Sequence, residues 1–215
     1  MTMKHGVGFA AVHYGTGQTE GGDPAQAIVK MRPDGSVDLL IGSVDIGQGV
    51  RTVMQQIAAQ ELGVTLDRVT VTAVDTDTSP LDTGTFASRV THQCGNAVLQ
   101  ATGELKKILF DAAAEILKVD AKELMAKDNK IYTTDSPREP INMADVAGKV
   151  TWVDQKTPAG RGTFGWAPAP ADPETGAGEP SHTLAYGATV AEVDVDSETG
   201  EVTVTKMVSA FDCGK

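Results

Sequence analysis

The sequence predicts an α+β fold in which a mixed sheet and β-hairpins pack on two main helices. Two segments with apolar residues spaced three and four apart, one starting at Val50 and a longer one over residues 91–118, predict these helices. Stretches of alternating residues before, between and after them predict strands. Strands and helices therefore follow one another in the mixed order that is typical of α+β proteins.

The first half of the chain predicts four strands and one helix. The strands cover residues 7–14, 27–31, 37–41 and 69–74, and the helix covers residues 50–62. Pro33 and Gly35 occupy turn positions between the second and third strands, so these two strands form a hairpin. Gly63 is a suitable C-terminal stop for the helix.

The second half begins with a polar loop, residues 75–88, and continues with the long helix. Gly95 and Gly103 each lower its helix propensity by about 1 kcal/mol relative to alanine, and such glycines often permit close packing or ligand approach. Shorter elements follow: a helix over 120–126 with Asp120 and Glu123 as a capping box, a strand over 130–133 and a helix over 141–147.

Three regions follow from this pattern. Residues 1–147 form the main α+β region, and residues 148–182 form an extended loop rich in glycine and proline, which is functional, packed on a partner or mobile. Residues 183–215 form a C-terminal β-hairpin of the same domain, with strands over 186–196 and 202–210 joined by the turn 197–200.

Composition excludes several classes of function. The formal net charge is -11, which disfavours broad nucleic-acid binding. No apolar run approaches membrane-spanning length, and the N-terminus lacks an apolar signal region, so we expect a cytoplasmic protein. Cys94 and Cys213 are too few for a disulfide scaffold or a four-ligand zinc site, and Cys94 is interpreted as a buried packing thiol. The four histidines lack metal-ligand spacing, so no metal ligands are predicted.

The first candidate site is the tripeptide Gly47-Gln48-Gly49, which lies between a predicted strand and a predicted helix. Glycine permits a tight turn and lets a ligand approach the backbone. The helix N-terminus offers unpaired N–H donors and a partial positive charge, and the Gln48 amide both donates and accepts. An oxyanion or a polar heterocycle would fit; a plain strand-to-helix turn is the alternative.

The second candidate site precedes the long helix. Thr85, Ser88 and Thr91 bring three hydroxyls, and Arg89 brings a guanidinium suited to phosphate. The alternative is that one hydroxyl simply caps the helix. A cap needs a single hydroxyl, so three hydroxyls with an arginine favour a ligand.

Three blocks of sequence resemble the xanthine dehydrogenase/aldehyde oxidase family of molybdenum hydroxylases. They are Val44-Asp45-Ile46-Gly47-Gln48-Gly49-Val50-Arg51-Thr52, then Thr85-Phe86-Ala87-Ser88-Arg89-Val90-Thr91, and then Gly95-Asn96-Ala97-Val98. The closing hairpin, with Thr199-Gly200-Glu201-Val202 and Ala210-Phe211-Asp212-Cys213-Gly214, is similar to the same family's next landmark. The resemblance covers nearly the whole chain and implies a portion of the molybdopterin-binding domain.

The resemblance also implies roles for the candidate residues. Gly47, Gln48 and Gly49 would lie against the pterin, dithiolene or metal-oxo end of molybdopterin. Thr85, Ala87, Ser88 and Thr91, together with Arg89, would hold the pterin or its phosphate tail. The cofactor would be bound only in the assembled enzyme, and the sequence leaves open whether it is the cytosine dinucleotide form.

Parts of the family pattern are missing from this chain. It has no upstream glycine-rich loop and no catalytic Glu after the final hairpin; Glu179 precedes that hairpin and is interpreted as loop. No catalytic residue is therefore predicted. The resemblance implies a fragment or split subunit, inactive alone, whose partners are the remaining molybdopterin-binding segments, iron–sulfur subunits and, in some family members, flavin subunits. Its substrate would be a small molecule: an aldehyde, a purine or an N-heteroaromatic.

The sequence leaves two other functions open. One is a non-catalytic assembly or structural module that retains the fold without the cofactor. The other is an unrelated protein that binds a small phosphorylated ligand. Whether Gln48 and Ser88 face one pocket separates the cofactor-binding interpretation from the structural module.

Overall fold

A computed structural model describes residues 2–212 except 20, 73, 136, 137, 168, 170 and 182. The elements in chain order are β1 (Met3–Gly15), β2 (Ala25–Met31), β3 (Val37–Ile41), α1 (Val50–Leu62), β4 (Val69–Thr72), α2 (Val90–Leu117), β5 (Leu124–Lys127), β6 (Lys130–Thr133), β7 (Ile141–Asn142), α3 (Met143–Gly148), β8 (Ala159–Phe164), β9 (Leu184–Asp196) and β10 (Val202–Asp212). The predicted α+β class is confirmed. Among the described residues, no helix has both the length and the apolar content that a membrane span requires.

The chain divides into two compact units. The core unit comprises Gly21–Ala167, and the sheet unit comprises Met1–Glu20 with Pro168–Lys215. In the sheet unit β9 lies between β1 and β10, antiparallel to both. This grouping differs from the predicted main region 1–147, because β1 pairs with β9 along its whole length, from Met3 opposite Asp196 to Gly15 opposite Leu184.

The core unit is built on a four-stranded sheet with the order β4-β3-β2-β8. Strands β2 and β3 form the predicted hairpin, and β3 and β4 are parallel. Alternate residues of β2 and β3 are buried, such as Val29 and Leu39, both at 0% exposure. They pack with the apolar face of α2, on which Val98, Leu105 and Leu109 are also fully buried. Val50 and Val90, the first residues of α1 and α2, belong to the same core.

Strand β8 lies inside the segment 148–182, which the sequence predicts to be an extended loop, and that prediction is wrong for these residues. β8 pairs with β2 and packs closely against α2. A Cβ built on Gly162 would lie 2.0 Å from the carbonyl oxygen of Ala97, and one on Gly160 2.1 Å from that of Ala101. The two glycines therefore permit a strand to lie directly on a helix backbone.

A smaller difference from prediction lies after the long helix. The helix predicted over 120–126 is a single 3-10 turn, Ala121–Glu123, followed by β5. Its capping box is present, since Asp120 accepts from Lys122 N–H and Glu123 reaches back to the Asp120 N–H. The backbone N–H and C=O groups of β5 are paired with β6, and a helix continued through these residues would break that pairing. The long helix itself is confirmed to within a residue at each end.

Candidate functional site

Two turns of the core unit carry the candidate residues. Turn 1 comprises residues 43–49, between β3 and α1, and turn 2 comprises residues 82–89, before α2. In turn 1, Gly47 and Gly49 adopt φ values of 108° and 80°, a left-handed conformation that favours glycine. A Cβ built on either would meet no atom within 4 Å, so the space over both glycines is open.

The side chains of turn 1 close the turn on itself. The Asp45 carboxylate accepts from the N–H of Gly47 at 2.8 Å and of Gly49 at 3.4 Å. The Gln48 side-chain oxygen accepts from Ile46 N–H at 2.7 Å, and its nitrogen donates to the Val44 carbonyl at 3.1 Å. Gln48 therefore shapes the turn, and the chain's own carboxylate occupies two of the amides predicted to receive an anion.

Hydrogen bonding keeps Asp45 ionised. The bond from Gly47 N–H is the main cause that lowers the pKa of this carboxyl below its ordinary 3.8, and bonds from the N–H groups of Gly49 and Arg51 act in the same direction. A negative charge at the start of α1 also complements the helix dipole. Asp45 is a residue that sequence reasoning did not include in the site.

Turn 2 holds an unusual run of backbone conformations. Gly84 has φ of 127°, and the non-glycine residues Ala87 and Ser88 have φ of 45° and 55°. Left-handed conformations cost such residues on the order of 1–3 kcal/mol each, and they persist where the surrounding structure holds them. Ala87 and Ser88 immediately precede the N-terminus of α2, which is where the sequence predicts ligand contact.

The hydroxyls of turn 2 do not cap the helix. Arg89 is the N-cap residue of α2, and no side-chain hydrogen bond caps it. The capping alternative is therefore wrong. Ser88 and Thr91 are exposed, and their hydroxyls have no hydrogen-bond partner in the described part of the chain. Thr91 lines an open groove of about 200 Å³ between α1 and α2.

The two turns lie side by side. The Thr85 hydroxyl accepts from Val44 N–H at 3.0 Å and donates to the Val44 carbonyl at 2.7 Å. Beneath this pair, the Ser43 hydroxyl donates to the Asp82 carboxylate at 2.7 Å. Thr85 thus joins the turns, and its one donor is used in doing so.

Arg89 is buried beneath the turns. Its exposure is 0%, and it bonds Asp82 at 2.6 Å, the Gly84 carbonyl at 2.7 Å and the Pro24 carbonyl at 3.0 Å. Its Nε lies 2.5 Å from a carboxylate oxygen of Asp23. A guanidinium engaged in this way does not reach a phosphate at the surface, so the predicted direct role of Arg89 in cofactor binding does not fit the structure.

The family model for the molybdopterin cofactor-binding domain matches residues 1–215 of this chain. The chain belongs to this family. It is 30% identical over 216 residues to the putative xanthine dehydrogenase molybdenum-binding subunit XdhA of Escherichia coli (strain K12), covering 99% of this chain and 27% of the relative. It is also 30% identical over 189 residues to the nicotine 6-hydroxylase large subunit of Paenarthrobacter nicotinovorans, covering 87% of this chain and 22% of that subunit.

The fold of this chain also occurs within larger proteins of known structure. Quinoline 2-oxidoreductase from Pseudomonas putida 86 aligns with a TM-score of 0.81 at 22% identity, over 99% of this chain and 27% of that one. The chain is thus a molybdopterin cofactor-binding domain of the xanthine dehydrogenase/aldehyde oxidase family, as its motifs predicted. It spans about a quarter of the length of these relatives.

Turns 1 and 2 of this molybdopterin cofactor-binding domain offer open space and exposed polar groups to a ligand. The space over Gly47 and Gly49 is open, and the exposed hydroxyls of Ser88 and Thr91 are available to a polar group. Among the described residues, α2 has no side-chain cap, so its N-terminus favours an anion, whereas the Asp45 carboxylate already bonds amides at the start of α1. Within the same residues, no group of three or more His, Cys, Asp and Glu side chains is placed to hold a metal ion.

Cys94 is a packing residue of the domain. It is fully buried, and burial raises the pKa of its thiol to about 11, although a hydrogen bond with Ser43 acts in the opposite direction. Gly95 beside it lets α2 approach α1, since a Cβ there would lie 3.2 Å from Ile57 Cδ1. Gly103 faces open space, so the two glycines of α2 differ in role. Glu179 is exposed and lies in a loop of the sheet unit.

Sequence reasoning missed the carboxylates that hold Arg89. Asp23 follows two glycines in an unpatterned stretch and carries no local signal of burial. Asp82 precedes Thr83-Gly84, a composition that predicts a turn, and its carboxylate does accept from Gly84 N–H at 2.8 Å. That pattern could have indicated the turn, although not the burial of its charge.

Proposed function

We propose that turns 1 and 2 together contact molybdopterin, with Gly47, Gln48 and Gly49 against the pterin end and Ser88 and Thr91 toward the phosphate. The observation that carries this proposal is the pair of hydrogen bonds between Thr85 and Val44, which holds the two turns side by side. When bound, the cofactor supplies the redox and hydroxylation chemistry, and this chain supplies position and electrostatics.

Each turn contributes a different property. Turn 1 lets a planar group approach the backbone, because its two left-handed glycines leave open space above them. Turn 2 presents the exposed hydroxyl of Ser88 at the uncapped start of α2, where the helix dipole favours negative charge. Ala87 acts through its backbone, and Thr85 acts by holding turn 2 against turn 1.

Gln48→Ala tests turn 1. The substitution removes the two hydrogen bonds by which Gln48 closes the turn, worth together about 1–3 kcal/mol, so molybdopterin retention should fall about tenfold. Molybdenum and pterin are measured per chain on the full-length protein purified with its natural partners. Gln100→Ala is the control, because Gln100 also accepts one backbone N–H, from Thr163 at 3.2 Å, but on α2 away from its N-terminus. Equal cofactor content in wild type and Gln48→Ala would show that turn 1 is not the contact.

The structure also favours a second candidate, a structural module that keeps the fold without the cofactor. The specific observation is that Asp45 occupies the amides of Gly47 and Gly49. Quantifying molybdenum and pterin in the full-length wild-type protein separates the two functions, because a structural module contains neither. Nucleotide analysis of the released cofactor then decides whether its phosphate carries cytidine.

We further propose that this domain is one part of a larger molybdenum-binding subunit that works with iron–sulfur and flavin partners in hydroxylating a small molecule. Exposed apolar side chains of the sheet unit support this, including Phe9 at 71% and Phe211 at 67% exposure, because exposed apolar patches mark surfaces that bind other proteins or ligands. The relatives are named for xanthine and nicotine, both nitrogen heterocycles, so an N-heteroaromatic is the substrate to test first. The unpaired, buried Cys94 supports a reducing, cytoplasmic location.

A further inference from the structure

We propose that Arg89 is a positioning residue that holds both turns from beneath through the buried carboxylates of Asp23 and Asp82. We call these three residues the Arg89 clamp. The proposal rests on the proposed function, and it assigns to Arg89 a role distinct from the phosphate contact that its sequence position suggests.

Burial and charge set the clamp apart from ordinary surface ion pairs. The side chains of Arg89, Asp23 and Asp82 are each no more than 1% exposed. Buried charges are tolerated when they are paired and hydrogen-bonded, and here one guanidinium bridges two carboxylates. Nη1 also donates to the Gly84 carbonyl and Nη2 to the Pro24 carbonyl, while Nε is paired with Asp23 by charge at 2.5 Å and makes no hydrogen bond with the described residues.

The clamp pins turn 2 at several points along its length. Asp82 lies at the start of the turn and accepts from both Arg89 Nη1 and Gly84 N–H. The Gly84 carbonyl accepts from the same guanidinium nitrogen at 2.7 Å. Arg89 stands at the end of the turn, where its N–H donates to Phe86 at 3.1 Å. The intervening left-handed residues, Ala87 and Ser88, are therefore held between two fixed ends.

The same carboxylates extend the clamp to turn 1 and to α2. Asp82 accepts from the Ser43 hydroxyl of turn 1 at 2.7 Å. Asp23 accepts from Gln93 of α2 and from Thr83 of turn 2, both at 2.9 Å. One buried network thus sets the relative position of the two turns, and a change at Arg89 should be transmitted to both.

Lysine cannot reproduce this geometry. Its ammonium is a compact charge with three donors on a single atom, whereas Arg89 uses nitrogens at separate corners of a planar group. Arg89→Lys keeps the charge but loses part of the bridge, and Asp82→Asn keeps the shape but removes one carboxylate. Together they test the clamp without deleting a buried side chain.

The experiment uses the full-length protein with its natural partners. Arg89→Lys and Asp82→Asn are compared with Arg32→Lys, a matched control in which the substituted arginine bonds an aspartate, Asp38, at 2.7 and 2.8 Å on an exposed hairpin turn. Molybdenum and pterin per chain, the electron paramagnetic resonance spectrum of Mo(V) and hydrogen exchange of residues 43–49 and 82–91 are measured.

The clamp predicts that both variants lose cofactor about tenfold, the lower end of the roughly 10–100-fold cost of removing residues that orient metal ligands without touching the metal, and that Arg32→Lys does not. Exchange should become faster in both turns, and the Mo(V) spectrum of the remaining loaded fraction should change. A role in stability alone would lower occupancy while leaving that spectrum as in wild type, and would overturn the proposal.

Two further outcomes would also overturn it. If Asp82→Asn retains as much cofactor as wild type, or more, while Arg89→Lys loses it, then Arg89 binds phosphate directly. If both variants match wild type in cofactor content, the clamp does not position the site. Wild-type protein without molybdopterin would instead refute the proposed function, and hydrogen exchange alone would then decide whether Arg89 holds the two turns.

Discussion

Replacing Gly162 by alanine should separate β8 from α2. An added Cβ would lie 2.0 Å from the Ala97 carbonyl oxygen and 2.8 Å from the Ala101 nitrogen, whereas ordinary contact begins at 3.4 Å. The shortfall from 3.4 Å to 2.0 Å is about 1.4 Å, and the opposing atoms are helix backbone that cannot rotate away. Overpacking of a core costs about 1–3 kcal/mol and occasionally more, so we expect a loss of about 3 kcal/mol.

Urea unfolding of the purified chain, followed by far-ultraviolet circular dichroism, measures this loss. A denaturant slope of about 1–3 kcal/mol per molar converts 3 kcal/mol into a midpoint lowered by at least about 1 M. Gly103→Ala is the control within α2, because its Cβ would meet nothing within 4 Å. It should stabilise the chain by about 0.8–1 kcal/mol through helix propensity. Similar midpoints for the two variants would refute the close packing of β8 on α2.

Two remaining predictions concern titratable side chains. Cys94 should resist iodoacetamide at pH 8 in the folded chain and react in urea, because burial and a pKa of about 11 keep it a protected thiol; peptide mass mapping that finds it modified in the native chain would contradict its burial. Asp45 should stabilise turn 1 at neutral pH. Its folded pKa is lowered, so this contribution is present above its unfolded pKa of about 3.9 and is lost as pH falls through the folded value. Nuclear magnetic resonance of the Gly47 amide follows this loss, and an Asp45→Asn variant with an unchanged acid transition would show that the carboxylate does not hold the turn.

The candidate turns show which features of a site a local sequence pattern can predict. Gly47 and Gly49 precede a segment with strong helical spacing, so the sequence predicts both the turn and the start of α1. Their left-handed φ values follow from the same local chemistry. The pattern does not predict that Asp45 bonds the amides of these glycines, because a carboxylate in the turn before a helix has several possible partners.

Strand β8 shows the opposite case. Its six residues include Gly160 and Gly162, which lower strand propensity and led to the prediction of a loop. The strand forms because β2 offers an unpaired edge and α2 offers a backbone surface that only glycine can approach closely. Neither condition is local, so the sequence around residues 159–164 does not indicate either of them.

The sequence by itself determined the α+β class, the span of α2, the hairpins and the family, because periodicity, turn residues and short motifs are local properties. Only the tertiary structure decided that Arg89 is buried against Asp23 and Asp82, that Thr85 joins the two turns, and that β1 pairs with β9. All of these contacts except that of Arg89 with Asp82 join residues far apart in the chain. A charged side chain looks the same in sequence whether it faces solvent or a buried partner, and its surroundings are created only when the chain folds.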